Sequence, residues 1–416
     1  MIKRNMSLIV SNQFFTVLAD SIFNLAILWY VYQMTQSSFF AATVTVITSI
    51  TNIFVGPFIG VIIDRMKPKT SMQVGYFIMI FIGIILGLSY LFKIDFLLGL
   101  IFVSLFIQDI CMLFISPAKN KLLPRIVGEE RIVKVNGYIS SVSQTGELIG
   151  QTISGFVIGI IGFIGVMLTH SIVYLIASIL LIFLVNIKDT NTKHASQEIN
   201  GDVDSKTLAE IRNIINDLKI GFYILRKNKS VFKLVLLATA LNVSTIAGSL
   251  LVVLVADHYN ANAVMFGIMN AGGATIGILI GLGVSKIVYL AKPNIIIGFS
   301  LLVCGLSFLG MGITQNFYIG TIFFLAMTGA SILINIIFSS SIILLIEDQY
   351  RGRVFTITVA IASILMPFLA LGGGYIADIL QVSYLFLFAG VWLIIWSFAP
   401  FIDKDLRNIS QLQPKN

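Results

Sequence analysis

The sequence predicts an all-α polytopic membrane protein with twelve transmembrane helices in two six-helix bundles. Three observations carry that prediction. Hydrophobic residues make up 57 % of the 416 positions and charged residues only 11 %, against about 25 % charged in an ordinary soluble domain. Apolar residues arrive in twelve long blocks, and about 20 such residues suffice to span a bilayer as a helix. A small-residue-then-base pattern also recurs. It is Gly56-Pro57-Phe58-Ile59-Gly60 leading to Asp64-Arg65 at the end of the second block, and Gly281-Leu282-Gly283-Val284-Ser285-Lys286 at the end of the eighth. This recurrence suggests a duplicated membrane unit. Backbone groups in lipid must bond within their own segment, so the blocks are helices. A membrane β-barrel would show alternating segments of about ten residues instead.

The first six blocks are Leu8–Tyr32, Phe39–Ile63, Ser71–Phe92, Phe96–Ser116, Val135–Ile160 and Phe163–Val185. The second six are Val231–Ala256, Val264–Val284, Asn294–Ile313, Phe317–Ile346, Val354–Ala377 and Val382–Phe401. The expected domains are an N-terminal bundle over 1–186, a linker over 187–230 and a C-terminal bundle over 231–416. In the linker, Leu208, Ile211, Ile215, Leu218 and Phe222 fall at helical spacing, which predicts an amphipathic helix along the membrane surface. The first block is too long for a signal-peptide core and is read as a membrane helix.

The basic residues orient the chain. With both termini cytoplasmic, all but one of the 27 Lys and Arg fall on the inner side, the exception being Lys93. The expected location is the plasma membrane. The net charge of +8 follows from these loops and needs no nucleic-acid partner. Cys111 and Cys304 lie in apolar blocks of different halves and read as buried thiols.

Along the chain, Asp20 sits at the middle of the first block, between ends that place Trp29, Tyr30 and Tyr32 in an aromatic belt. Asp109 lies within the fourth block. The stretch after it, from Pro117 through Lys119 and Lys121 to Pro124-Arg125, reads as a basic, proline-broken loop. Glu147 lies in Gly146-Glu147-Leu148-Ile149-Gly150-Gln151, followed by Gly155 and Gly159, a spacing that predicts tight helix packing beside a polar site. The eighth block is glycine-rich, and Pro367 with Gly372-Gly373-Gly374 predicts a bent eleventh helix.

An acid at the bilayer centre costs roughly 2.5–3.5 kcal/mol, so three acids in one half are hard to attribute to chance. Asp20, Asp109 and Glu147 are the candidates for proton coupling or substrate binding, held by a water-filled cavity. The plainer alternative is that Asp20 or Asp109 bonds a neighbouring helix structurally. Asn24, Gln108, Gln151, Asn242 and Asn335 are candidate polar residues of the same cavity. No phosphate-binding Gly-x-x-x-x-Gly-Lys-[Ser/Thr] loop is present, and His170, His194 and His258 lack metal-ligand spacing. The chain therefore reads as a non-enzyme with no cofactor and no metal.

On these motifs the chain resembles the major facilitator superfamily over nearly its whole length. The Gly-x-x-x-Asp-Arg signature of the family's loop between helices 2 and 3 is matched by Gly60, Asp64, Arg65 and Lys69. Within the superfamily, several segments look like the macrolide-efflux branch, which includes siderophore exporters. They are Gly56-Pro57-Phe58-Ile59-Gly60, Pro117-Ala118 with Leu123-Pro124, Asn136-Gly137-Tyr138, and Arg351-Gly352-Arg353-Val354-Phe355. Several positions depart from the family: Lys67 and Pro68 stand where the signature usually has glycine and a base, Gln108 stands where many members keep an arginine, and Gly150-Gln151 replaces a Gly-Pro. The resemblance implies alternating access around a midplane site, with Gly60, Asp64, Arg65, Lys69, Arg351 and Arg353 forming a conformational lock. It also implies export of an amphipathic small molecule, either a macrolide-like drug or a siderophore, by a monomer coupled to protons. The alternatives are an importer or facilitator of a small polar solute, and a membrane receptor or scaffold using the 187–230 segment.

Overall fold

The computed structural model describes residues 2–55, 67–128, 131–184 and 221–407, and among them every regular element is a helix. Among the described residues, ten helices are long and apolar enough to cross a membrane. The longest, Ile132–Ile182, leaves helical geometry at Gly162, with φ 72° and ψ −164°. Only glycine adopts that conformation without strain, so this element is two spans, α5 (132–161) and α6 (163–182). The shorter apolar helix Ser38–Ile50 stands where the second block was expected. The polytopic all-helical architecture, with room for twelve spans, is thus the observed one.

In order, α1 is Ile2–Thr35, α2 is Ser38–Ile50, α3 is Pro68–Leu91 and α4 is Leu97–Val127. After α5 and α6 come α7 (Lys229–Val243, continued in short pieces to His258), α8 (Ala263–Leu290), α9 (Pro293–Ile313) and α10 (Phe317–Leu345). The last span positions are α11, in two pieces Asp348–Ser363 and Met366–Ile379, and α12 (Val382–Ser397). A final turn, α13 (Lys404–Arg407), follows. Three short connections turn through left-handed residues, Gln36 (φ 49°), Lys93 (φ 51°) and Asn260 (φ 49°).

One expectation is corrected. The stretch Pro117–Arg125 is not a loop, because α4 runs unbroken through Pro117 and Pro124 to Val127. A helix-interior proline costs about 3 kcal/mol. Ile115, Ala118, Leu122, Leu123 and Ile126 of this segment are buried, and a fully buried large aliphatic side chain contributes about 1.5–3 kcal/mol. Packing therefore outweighs two broken backbone bonds. The helix stops at Gly128, whose φ of 82° ends it. In α11 the bend expected from Pro367 is present. The helix breaks at Ile364-Leu365, and Pro367 falls in the first turn of the second piece, where its missing N–H costs nothing.

The chain divides into two compact units. One comprises Met1–Gln36, Ile47–Asp202 and Asn262–Ala271, the other Ser37–Val46, Val203–Ala261 and Gly272–Asn416. In the second unit, Asp378 of α11 caps the start of α2. Its carboxylate accepts from Ser37 Oγ at 2.6 Å, Ser38 N at 2.5 Å and Phe39 N at 3.3 Å. It meets backbone donors that a helix start leaves unpaired. At the other end of that unit, Lys233 Nζ lies 2.6 Å from Asp403 and 2.6 Å from Asp405, tying α7 to α13. The ammonium holds the Asp403 carboxyl below the usual carboxylate range. Cys111 and Cys304 are free and buried.

Candidate functional site

The first unit assembles a polar column on one face of α1. Asn12, Thr16 and Asp20 are four residues apart and so stack along a single helix face. Asn12 Nδ2 donates to Ala177 O of α6 at 2.7 Å, and its Oδ1 accepts from Tyr76 Oη of α3 at 2.8 Å. Thr16 Oγ1 donates to Asn12 O at 2.8 Å and lies 3.4 Å from Tyr76 Oη. At the top of the column, Tyr174 Oη of α6 donates to Asp20 Oδ1 at 2.5 Å. The Tyr76 and Tyr174 rings lie 5.7 Å apart. Sequence reasoning singled out Asp20 but missed Asn12, Thr16, Tyr76 and Tyr174. The i, i+4, i+8 spacing of polar residues on an otherwise apolar helix was the available signal.

Asp109 of α4 belongs to the same neighbourhood, close enough for its charge to act on Asp20. Thr48 of α2 hydrogen-bonds its carboxyl group. Its Oδ2 is buried with no hydrogen-bond partner, and so is Gln108 Oε1 one residue earlier. Buried polar atoms without partners call for an explanation, and these two lie beside Asp20 and Asp109, which makes this place the candidate site. His170 is fully buried, with its ring 4.8 Å from Phe23 and 4.9 Å from Tyr174, and neither imidazole nitrogen has a partner.

Glu147 is apart from this cluster in character. Its carboxylate is exposed and accepts from Gln151 Nε2 at 3.2 Å. Two glycine seams flank it. A Cβ at Gly150 would stand 2.6 Å from Ser21 Cβ, and one at Gly146 would stand 3.1 Å from Phe14 O, both on α1. Further along α5, a Cβ at Gly155 would stand 2.9 Å from Ala263 O of α8. Glu147 thus occupies α5 between a face pressed on α1 and a face pressed on α8.

Lys119 of α4, placed in a loop by sequence, turns its ammonium onto Gln13 Oε1 at 2.5 Å, and Gln13 Nε2 donates to Ser143 Oγ at 3.0 Å. This second polar chain links α4, α1 and α5. Among the remaining candidates, Asn24 and Asn335 are exposed, and Asn335 Nδ2 donates to Ser331 O at 3.0 Å within its own helix. Asn242 Nδ2 donates to Ala362 O of α11 at 2.9 Å, across from the break in that helix. Lys69 Nζ donates to Ile182 O and Leu184 O at 2.8 Å each, so it caps the end of α6, where a cation is favoured. Gly60, Asp64 and Arg65 lie outside the described residues. Arg351 and Arg353 fall in the first turns of α11, with side chains outside the described set.

A multi-pass helical protein with carboxyl, amide and phenol groups among its spans has the make-up expected of a membrane transport protein. A profile of the Major Facilitator Superfamily matches residues 9–361, and the chain belongs to that family, one of transporters rather than enzymes. It is 25 % identical over 411 residues to macrolide efflux protein A of Streptococcus pyogenes, with 92 % of each chain covered. Macrolide efflux protein A of Enterococcus faecalis is also 25 % identical, over 75 % of this chain and 93 % of that protein. Among solved structures, the nucleoside transporter NupG superposes with a TM-score of 0.71 at 13 % identity, covering 97 % of this chain and 100 % of NupG. A bacterial homologue of the iron transporter ferroportin, in an inward-facing state, superposes with a TM-score of 0.67 at 16 % identity, covering 95 % of this chain and 99 % of that one. At these identities the structural likeness speaks for the fold alone.

Proposed function

We propose that this transporter exports an amphipathic small molecule from the cell by alternating access, driven by protons entering through the Asp20–Asp109 site. The observation that carries the reading is the carboxyl pair on facing spans, one member held by Tyr174 and the other with a buried oxygen that no protein group satisfies. Such a pair binds a proton or a cationic group in one conformation and releases it in another. Each proton moving down a 100 mV potential supplies about 2.3 kcal/mol, roughly a fifty-fold gradient. The similarity to macrolide efflux proteins supports an outward direction and a drug-like substrate. In this reading the protein works as a monomer in the plasma membrane with both termini cytoplasmic. Glu147 serves as an accessory acid, and Gly60, Asp64, Arg65, Arg351 and Arg353 are the residues proposed for a conformational lock.

The test is efflux of a macrolide from energised cells, with and without a protonophore. Uncoupling should abolish export. Asp20→Asn keeps the acceptor for Tyr174 but cannot exchange a proton, so it should reach the membrane at normal levels and fail to export. Export that survives both treatments overturns proton coupling through this site.

A further inference from the structure

The start of α7 and the end of α10 bound an open cleft of about 740 Å³ that the transport reading leaves unused. Asn228 ties its two walls together. Its Oδ1 accepts from Val231 N at 3.2 Å, and its Nδ2 donates to Leu345 O at 3.3 Å. Leu225, Val231, Val235, Ile346 and Val354 are buried together beside it, which gives the cleft a fixed floor. Lys227 and Lys229 line the opening and are exposed, Arg226 is exposed next to them, and Glu347 is the acid in the lining. The first residues of α7, Lys229 and Ser230, also line it, so the positive end of a 15-residue helix adds to the charge. Tyr223, another lining residue, is 68 % exposed, and Phe222 is 44 % exposed. Tyr223 lines the cleft together with Lys229, the first residue of the span Lys229–Gly248, and aromatic side chains are enriched at the level where spans enter a bilayer.

The geometry points to a binding site for the phosphate of an anionic glycerophospholipid, with Lys227 and Lys229 on the phosphodiester and Tyr223 against the glycerol. Charge selects an anion. The position at a span end, with exposed rings alongside, selects a lipid over a soluble phosphate, as in basic pockets that take lipid head groups between membrane helices. The purified full chain in neutral detergent provides the test, read as its thermal unfolding midpoint and by mass spectrometry of retained lipid. Phosphatidylglycerol should raise the midpoint more than phosphatidylcholine, and inorganic phosphate at matched ionic strength should leave it unchanged. Lys227→Gln with Lys229→Gln should erase the phosphatidylglycerol preference and weaken its retention on the order of tenfold, with the lipid-free midpoint unmoved. Should that double variant not fold, Lys227→Gln alone must weaken retention. Equal effects of the two lipids, a preference that survives the substitutions, or a rise reproduced by inorganic phosphate would each overturn the proposal.

Discussion

Tyr174→Phe removes a single oxygen, the donor that holds Asp20 Oδ1 at 2.5 Å. A side-chain hydrogen bond is worth about 0.5–1.5 kcal/mol net, so the variant should lose up to roughly tenfold in export rate. If Tyr174 positions a proton-carrying carboxyl, the pH dependence of export moves as well. A purely structural role would lower the amount of folded protein and leave the pH profile where it was. An unchanged profile with unchanged rate would remove Tyr174 from the mechanism. The acids of this cluster were legible in the sequence because a charge in an apolar block is conspicuous. Their partners were not, because Tyr76 and Tyr174 are ordinary aromatic residues of membrane helices until the packing of α3 and α6 on α1 points their hydroxyl groups at Asn12 and Asp20. Lys119 was misplaced for a related reason. The two prolines around it advertise a loop, and only the burial of Ala118, Leu122 and Leu123 keeps α4 intact.

Helix α8 shows what an element adds. Its glycines form one rich stripe in the sequence, yet they perform different tasks. A Cβ at Gly267 would lie 2.9 Å from Gln151 O and 3.0 Å from Gly155 Cα, so α5 and α8 meet backbone to backbone there. Gly272, Gly273 and Gly277 accommodate Leu325, Phe324 and Ile332 of α10, whereas nothing lies within 4 Å of a Cβ at Gly281. Small residues in membrane helices permit close approach, but only contacts show which ones are used. Gly267→Val should therefore destabilise the protein by about 1–3 kcal/mol, the usual cost of overpacking, and lower the unfolding midpoint. Gly281→Ala should be neutral or slightly stabilising, since alanine favours a helix by up to about 1 kcal/mol over glycine. Equal midpoints for the two variants would contradict the packing described here.

For the whole molecule, the distribution of basic residues makes a topological prediction. Lys93 is exposed in the turn between α3 and α4 and is the base assigned to the outer face. The native thiols Cys111 and Cys304 are buried, so they give little background to a thiol-labelling experiment. Lys93→Cys should react with a membrane-impermeant maleimide in intact cells. Lys404→Cys, exposed at the far end of the chain, should react only after permeabilisation. The reverse pattern would invert the topology and with it the proposed direction of export.

The sequence by itself determined the solvent of this protein, its helical class, its family and the acids that sit within its spans. The solvent and the helical class follow from composition and from long apolar blocks, since a backbone in lipid has almost no alternative to the helix; the family follows from its motifs. The tertiary structure decided which polar groups answer those acids, which glycines are pressed against another backbone, where α4 ends, and that Lys69 caps α6. Such matters depend on which faces of separate helices meet. In a membrane, where lipid is as apolar as leucine, hydrophobicity does not choose those faces; close packing and hydrogen bonds between distant residues do.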